Sequence, residues 1–289
     1  MKTNGLTSTI PESIGALVHL QGMVMNANQL AGTIPQSIGK LTNLQLLTLG
    51  VNQLTGSIPL SMNELTNLQS LELHVNRLTS TLRLDPSKFN RIKMLMLHEN
   101  DLTGEFISSI GNGFEDLELF FIGGNQLNGT IPTSIGNLSK LKFFDLSNNT
   151  LNGNVPQQIW DLKGLIILGL GMNNLVGSIP TDIGNLSQLK VFSIESNNMH
   201  GLLPSVVGNL KELNLLSIYS NHFTGSLPSS IGNIKELKAM QIGDNFFNGT
   251  LPESMLNNRN LGKSAGFFSV LENYVYIFVL KTYFCDLLA

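Results

Sequence analysis

The chain has 289 residues, with 17 basic against 20 acidic side chains, a formal charge of −3 and a charged fraction of 13%, about half the roughly 25% usual in soluble domains. Such a balance excludes a protein that neutralises nucleic-acid phosphates by charge. The single cysteine, Cys285, excludes an internal disulfide framework and any multi-thiolate metal site, and a hydrophobic content of 42% supplies a continuous core, which excludes wholesale disorder.

Length alone would suggest two domains at roughly 150 residues each. Periodicity overrides that prior. Asparagine recurs at Asn4, Asn28, Asn52, Asn76, Asn100, Asn125, Asn149, Asn173, Asn197, Asn221 and Asn245, every 24 residues except for one step of 25 that contains Gly113. In the unit from Leu44 to Leu68, Leu47 and Leu49 are two apart, so on an extended segment both face inward while Leu46, Thr48 and Gly50 alternate outward. This predicts a short parallel strand. The asparagine that follows carries both donor and acceptor, and can satisfy inward-turned backbone groups and its neighbours in a stacked ladder. Gly56 permits a tight bend, and Pro59 fixes φ where no ladder donor is needed; nine of the ten prolines occupy that slot. Met62, Leu65 and Leu68 then recur at helical or 3₁₀ spacing on the outer side. A unit this small cannot offset its own backbone entropy by burial, so the units must stack into a quasi-one-dimensional solenoid.

On these residues the chain resembles the plant-type leucine-rich repeat family, whose unit reads LxxLxLxxNxLxGxIPxxIGxLxx; the run Leu141 to Leu165 fits it with conservative swaps only. The resemblance implies an α/β solenoid: a right-handed, horseshoe-like superhelix with a concave parallel β-sheet, about eleven repeats over residues 1–261, and a second short sheet near the LxGxIP segment. It also implies a non-catalytic recognition module that binds a protein, peptide or glycan on its concave or lateral surface. Members include ectodomains of receptor-like kinases, receptor-like proteins and inhibitors of secreted enzymes, which implies an extracellular or cell-surface location. The chain departs from that pattern in three ways. No signal peptide precedes the repeats, the capping cysteine pairs of extracellular members are missing, and no kinase motif set follows. The unit from Asn76 to Asn100 holds Ser80 and Arg83 in place of Gly and Pro, with Asp85-Pro86 beyond, and the next unit has Ile107 for Pro; those two units are expected to distort or interrupt the second sheet.

After Leu261 the repeat fails. Residues 262–289 form an atypical hydrophobic tail holding three of the four tyrosines. It reads as an improvised apolar cap, a non-native chain end, or a membrane-contacting segment. Its longest uncharged apolar stretch, Tyr274 to Leu280, is far short of the roughly 20 residues a spanning helix needs; contact with a membrane is expected only through such a terminal segment or one missing from this chain.

The outward strand positions form columns across the concave sheet. The densest cluster is Glu72, His74, Met96, His98, Phe121 and Asp145 on four neighbouring strands, with Phe143 beside it and Glu195 with Tyr219 further along. His74 and His98 are expected about 5 Å apart, close enough to share an ion or a ligand carboxylate with Glu72, although two imidazoles and one acid fall short of a metal ligand set. The readings are a ligand-contact patch using exposed rings of Phe121 and Phe143, or an unremarkable solvated face; no metal and no cofactor is expected. A second column, Leu46, Met94, Leu119, Phe143, Ile167, Val191 and Leu215, is apolar, through burial against the adjacent loop or as a contact strip. Asn128, Asn137, Asn148, Asn185 and Asn248 head glycosylation sequons that the repeat itself generates. The five histidines assemble no nucleophile, base and orienter, so no enzyme and no nucleic-acid partner is expected. The alternatives to receptor-like recognition are inhibition of a secreted enzyme, and ice binding by the array Thr33, Ser57, Thr81, Thr130, Ser178, Ser226 and Thr250, which Glu105, Asn154 and Leu202 interrupt.

Overall fold

A computed structural model describes residues 5–106, 110–257 and 260–261. The expectations for Asn4, Ile107 and the tail 262–289 fall outside these residues. Every described unit is one coil of a solenoid. Ten three-residue strands, from Gly22–Val24 through Leu46–Thr48 to Ala239–Gln241, form one parallel concave sheet in sequence order. On the opposite side most coils carry a short 3₁₀ helix among the described residues, such as Gln36–Lys40, Thr133–Asn137 and Ser229–Asn233. The slot proline stands in extended conformation directly before these three helices (Pro35, φ −70°), where its missing N–H leaves no bond unmade.

Between strand and helix lies a second parallel layer. Six strands from Thr7–Thr9 to Gln126–Asn128 form one sheet and five from Asn152–Asn154 to Phe246–Asn248 another. The expected interruption at the two aberrant units does not occur there: Arg77–Thr81 and Asp101–Glu105 pair with each other and with their neighbours. Ser80 takes φ +77°, the left-handed conformation that Gly56 and Gly104 adopt in the same slot, and thereby keeps the strand's path. Asp85 caps the following 3₁₀ turn by accepting from Ser87 N at 3.1 Å and Ser87 Oγ at 2.7 Å, replacing the lost proline. The layer parts instead between Gln126–Asn128 and Asn152–Asn154, where the single bridge Thr130↔Asn152 remains. There Thr150 spends both its N–H and its hydroxyl on Leu127 O.

The inserted Gly113 is explained by its surroundings. It sits at φ +150°, and a Cβ there would lie 2.6 Å from the backbone nitrogen of Ser87, so the longer coil fits only without a side chain.

The core is a column of inward leucines. Leu47, Leu49, Leu71, Leu73, Leu95 and Leu97 are all fully buried, each contributing about 1.5–3 kcal/mol. Phenylalanines replace them in the middle coils, and Phe120 and Phe144 stack at 5.7 Å. The asparagine ladder holds from Asn28 to Asn245. Asn173 Nδ2 donates to Leu146 O, Leu170 O and Gly171 O at 3.1, 3.3 and 3.1 Å, while its Oδ1 accepts from Leu151 N at 3.0 Å. Each asparagine therefore ties its own turn to the coil before it. The residue just before the ladder position is left-handed in nearly every coil, Val51 and Val75 included (φ +56° and +51°), which turns the chain inward at a steric cost for a β-branched side chain.

Candidate ligand-binding face

On the concave sheet the outward side chains stand in register rows. One row runs Met94, Leu119, Phe143, Ile167, Val191, Leu215, Ala239, each directly opposite the next. A second runs Met96, Phe121, Asp145, Gly169, Ser193, Ser217, Gln241. The first row, joined by Met96 and Phe121, forms a continuous apolar cluster separate from the solenoid core. The members of this row are buried by packing on one another across strands.

The structure corrects the expected exposure. Phe121 and Phe143 are 3% and 6% exposed, Met96 4%, His98 1% and Asp145 6%; Glu72, His74, Glu195 and Tyr219 are half-buried. The nine candidate residues do share one face, but most are buried upon it. His74 and His98 are neighbours as expected, with ring centroids 4.6 Å apart and planes inclined by 16°; His98 meets Phe121 edge-on at 6.1 Å. The imidazoles present faces to each other, so their nitrogens do not converge on a common point. Among the described residues no group of three His, Cys, Asp or Glu side chains is placed to hold a metal ion.

Periodicity gives no hint of why glycines interrupt these columns. Gly50, Gly169 and Gly171 make room for a neighbour's side chain, whereas a Cβ at Gly243 would meet nothing within 4 Å. A Cβ at Gly50 would lie 2.6 Å from His74 Nδ1, one at Gly171 2.5 Å from Glu195 Cδ, and one at Gly169 would collide with the Asp145 carboxylate. Polar side chains thus lean sideways over glycine, and hydroxyls one row away hold them. Ser147 N and Oγ donate to Asp145 Oδ1 at 3.0 and 2.6 Å, Ser193 Oγ donates to Glu195 Oε2 at 2.5 Å, and Ser70 Oγ donates to Glu72 Oε1 at 3.1 Å.

Burial dominates the ionisation of this face. It pushes Asp145 up to about 6 against the opposing bonds from Ser147, with Glu195 adding to the rise. Burial likewise raises Glu72 and Glu195, against the bonds from Ser70 and Ser193. It lowers His74 to about 4 and, with the neighbouring His74 contributing, His98 to about 2. The imidazoles are therefore neutral at pH 7, and the face offers apolar area with carboxyl and hydroxyl groups but no Lys or Arg in its outward rows. Such a face can dock a side-chain fringe by burial and pair a cation.

A solenoid of asparagine-laddered coils with a concave parallel sheet defines a repeat protein. A family model described as Leucine Rich Repeat matches residues 116–138, 140–162 and 209–234, so the chain carries leucine-rich repeats, and the solved structures it is similar to include plant receptors. Its structure is similar to that of the plant peptide hormone receptor RGFR1 in complex with RGF2, with 36% identity over 86% of this chain and 40% of that one and a TM-score of 0.81. It is also similar to a TDR receptor, with 32% identity over 90% of this chain and 45% of that one and a TM-score of 0.84. A plant ice-binding protein shares 27% identity over 86% of this chain and 80% of that one, with a TM-score of 0.72. The chain spans 40% and 45% of the two receptor structures. No match was found among curated proteins.

Proposed function

We propose that this chain is the recognition portion of a receptor-like leucine-rich repeat protein, which docks a peptide across several strands of the concave sheet and performs no chemistry itself. The observation that carries the reading is the apolar row from Met94 to Ala239, flanked by a row of carboxyl, hydroxyl and amide side chains. An extended peptide crossing parallel strands meets a new side chain roughly every 4.8 Å, so apolar and polar rows set side by side suit a ligand with one apolar edge. Similar structures include a peptide hormone receptor in complex with RGF2 and the complex PEPR1-AtPEP1. Phage-displayed random peptides panned on the full chain test this. Peptides should be retained by the chain, lost from Ile167→Glu on the apolar row and kept by Thr55→Glu on the second sheet; no retention, or equal loss from both variants, refutes the reading.

A second reading, ice binding, is supported by likeness to the plant ice-binding protein and by the exposed hydroxyls of Thr33, Ser57, Thr81, Thr130, Ser178, Ser226 and Thr250. The array is broken by Glu105, Asn154 and Leu202 and by the parting of the second layer after Asn128, and a lattice ligand favours regularity. Thermal hysteresis by the full chain would support this reading over the first.

A further inference from the structure

Two polar atoms near the first strands of the concave face have no hydrogen-bond partner among the described residues, and they belong to neighbouring side chains. Thr48 Oγ1 and His74 Nδ1 are both covered and bonded to nothing, Thr48 being only 5% exposed, whereas buried polar groups in folded proteins are nearly always paired. Thr48 stands directly opposite Glu72 in register. The His74 ring lies over Gly50, two residues along the same face from Thr48. Of the three carboxyls on this face, Glu72 is also the most loosely held. Among the described residues it accepts one bond, from Ser70 Oγ at 3.1 Å; Asp145 accepts two from Ser147 at 3.0 and 2.6 Å, and Glu195 accepts from Ser193 at 2.5 Å. The outward rows hold no Lys or Arg to pair with it.

We propose that Thr48, Glu72 and His74 form a subsite for an arginine side chain of the ligand. This rests on the peptide docking proposed above and names a residue that such a peptide carries where it crosses the first coils. The three groups together lack a donor: a carboxylate accepts only, a hydroxyl oxygen accepts as well as donates, and a neutral imidazole accepts at one nitrogen. A guanidinium presents five N–H donors in one planar fork, enough to serve all three, and its paired bonds to a carboxylate are short and charge-assisted. An ammonium has neither the fork nor the reach. Burial keeps His74 neutral at pH 7, so the imidazole does not repel a cation. The approach is low-walled, since Gly22 has no side chain and Val24 is 62% exposed. Turning the His74 ring off Gly50 opens Thr48 Oγ1 and His74 Nδ1 to the incoming group.

N-acetyl-argininamide, a guanidinium with no longer peptide attached, tests the subsite on the full chain without any docked peptide. Titrated while the histidine ring resonances are followed by NMR, it should shift His74 and His98 and leave His200 and His222, which lie on the second sheet, unmoved. Affinity should fall about fivefold or more for N-acetyl-lysinamide and in Glu72→Gln, fall about threefold in Thr48→Val, and stay within about twofold in Glu195→Gln. Equal affinity for the two probes, equal affinity of Glu72→Gln and the parent, or equal shifts at all four histidines overturns the proposal. Should Glu72→Gln fail to fold, Thr48→Val and the lysine probe still decide it. The docking reading fails separately. If the probe shifts His74 while no displayed peptide is retained, the subsite stands and peptide docking falls; if retained peptides lack arginine or bind Glu72→Gln as tightly as the parent, docking stands and the subsite falls.

Discussion

The asparagine ladder permits a prediction about how two substitutions combine. Removing the Asn173 side chain orphans the buried Leu151 N–H, but Leu170 O still accepts from Asn197, Leu146 O from Asn149, and Gly171 O from the backbone of Asn148. Asn173→Ala should therefore cost the desolvation of one N–H plus weakened acceptance, about 2–4 kcal/mol. Asn149→Ala is equivalent: Leu127 N–H is orphaned, while Ile122 O, Leu146 O and Ser147 O keep Asn125, Asn173 and the Gly124 backbone as donors. In the double variant Leu146 O loses both asparagines. A buried carbonyl left without a donor adds about 1–3 kcal/mol beyond the sum. Asn149→Ala with Asn221→Ala shares no carbonyl and should add within about 0.5 kcal/mol. The assay is urea unfolding followed by the fluorescence of Trp160, the single tryptophan, buried in the coil between Asn149 and Asn173. An adjacent pair that combines as additively as the distant one would refute the shared-acceptor argument.

Two further outcomes follow from single residues. Ser80→Gly should stabilise the chain by about 0.5–1 kcal/mol, because a non-glycine residue at φ +77° bears roughly 1–2 kcal/mol of left-handed strain and glycine returns part of it as unfolded-state entropy; a lowered melting temperature would show that the serine hydroxyl matters more than the backbone. Asp145→Asn should stabilise at pH 7 and not at pH 3. Burial raises this carboxyl from 3.8 in the open chain to about 6 in the fold, so the folded state holds the extra proton, and stability falls as pH climbs through the window between those values. The full penalty above pH 6 is about 2–3 kcal/mol, which the amide avoids while still accepting from Ser147. Subtracting parent from variant in melts across this range cancels the opposing acid destabilisation from His74 and His98, whose lowered values cost stability as pH drops below 6.5. A difference independent of pH would place the carboxyl in water.

Much of the fold was legible because each coil states its own rules. Leu47 and Leu49 two apart, Asn52 three beyond and Pro59 at the next bend act within one turn of chain, and each appears in the place its chemistry demands. Ser80 was misjudged by the same logic: glycine is the cheapest left-handed residue but not the sole one, and a serine held by stacked strands on both sides adopts that φ. The candidate face was half legible. Register placed Glu72, His74, Met96, His98, Phe121 and Asp145 together, yet alternation marks a side chain as outward without saying whether water reaches it.

What the sequence determined by itself was the period, the inward leucines, the ladder and hence a solenoid, since all of these are set by contacts within a coil or between identical slots of adjacent coils. The tertiary structure alone decided that the aromatic rings of the concave face are buried, that Gly50, Gly169 and Gly171 exist to receive a neighbour's imidazole or carboxylate, and that Asp145 titrates near 6. The physical reason is that burial of an outward side chain depends on what unlike residues one or more coils away place over it, and no local pattern records that distance.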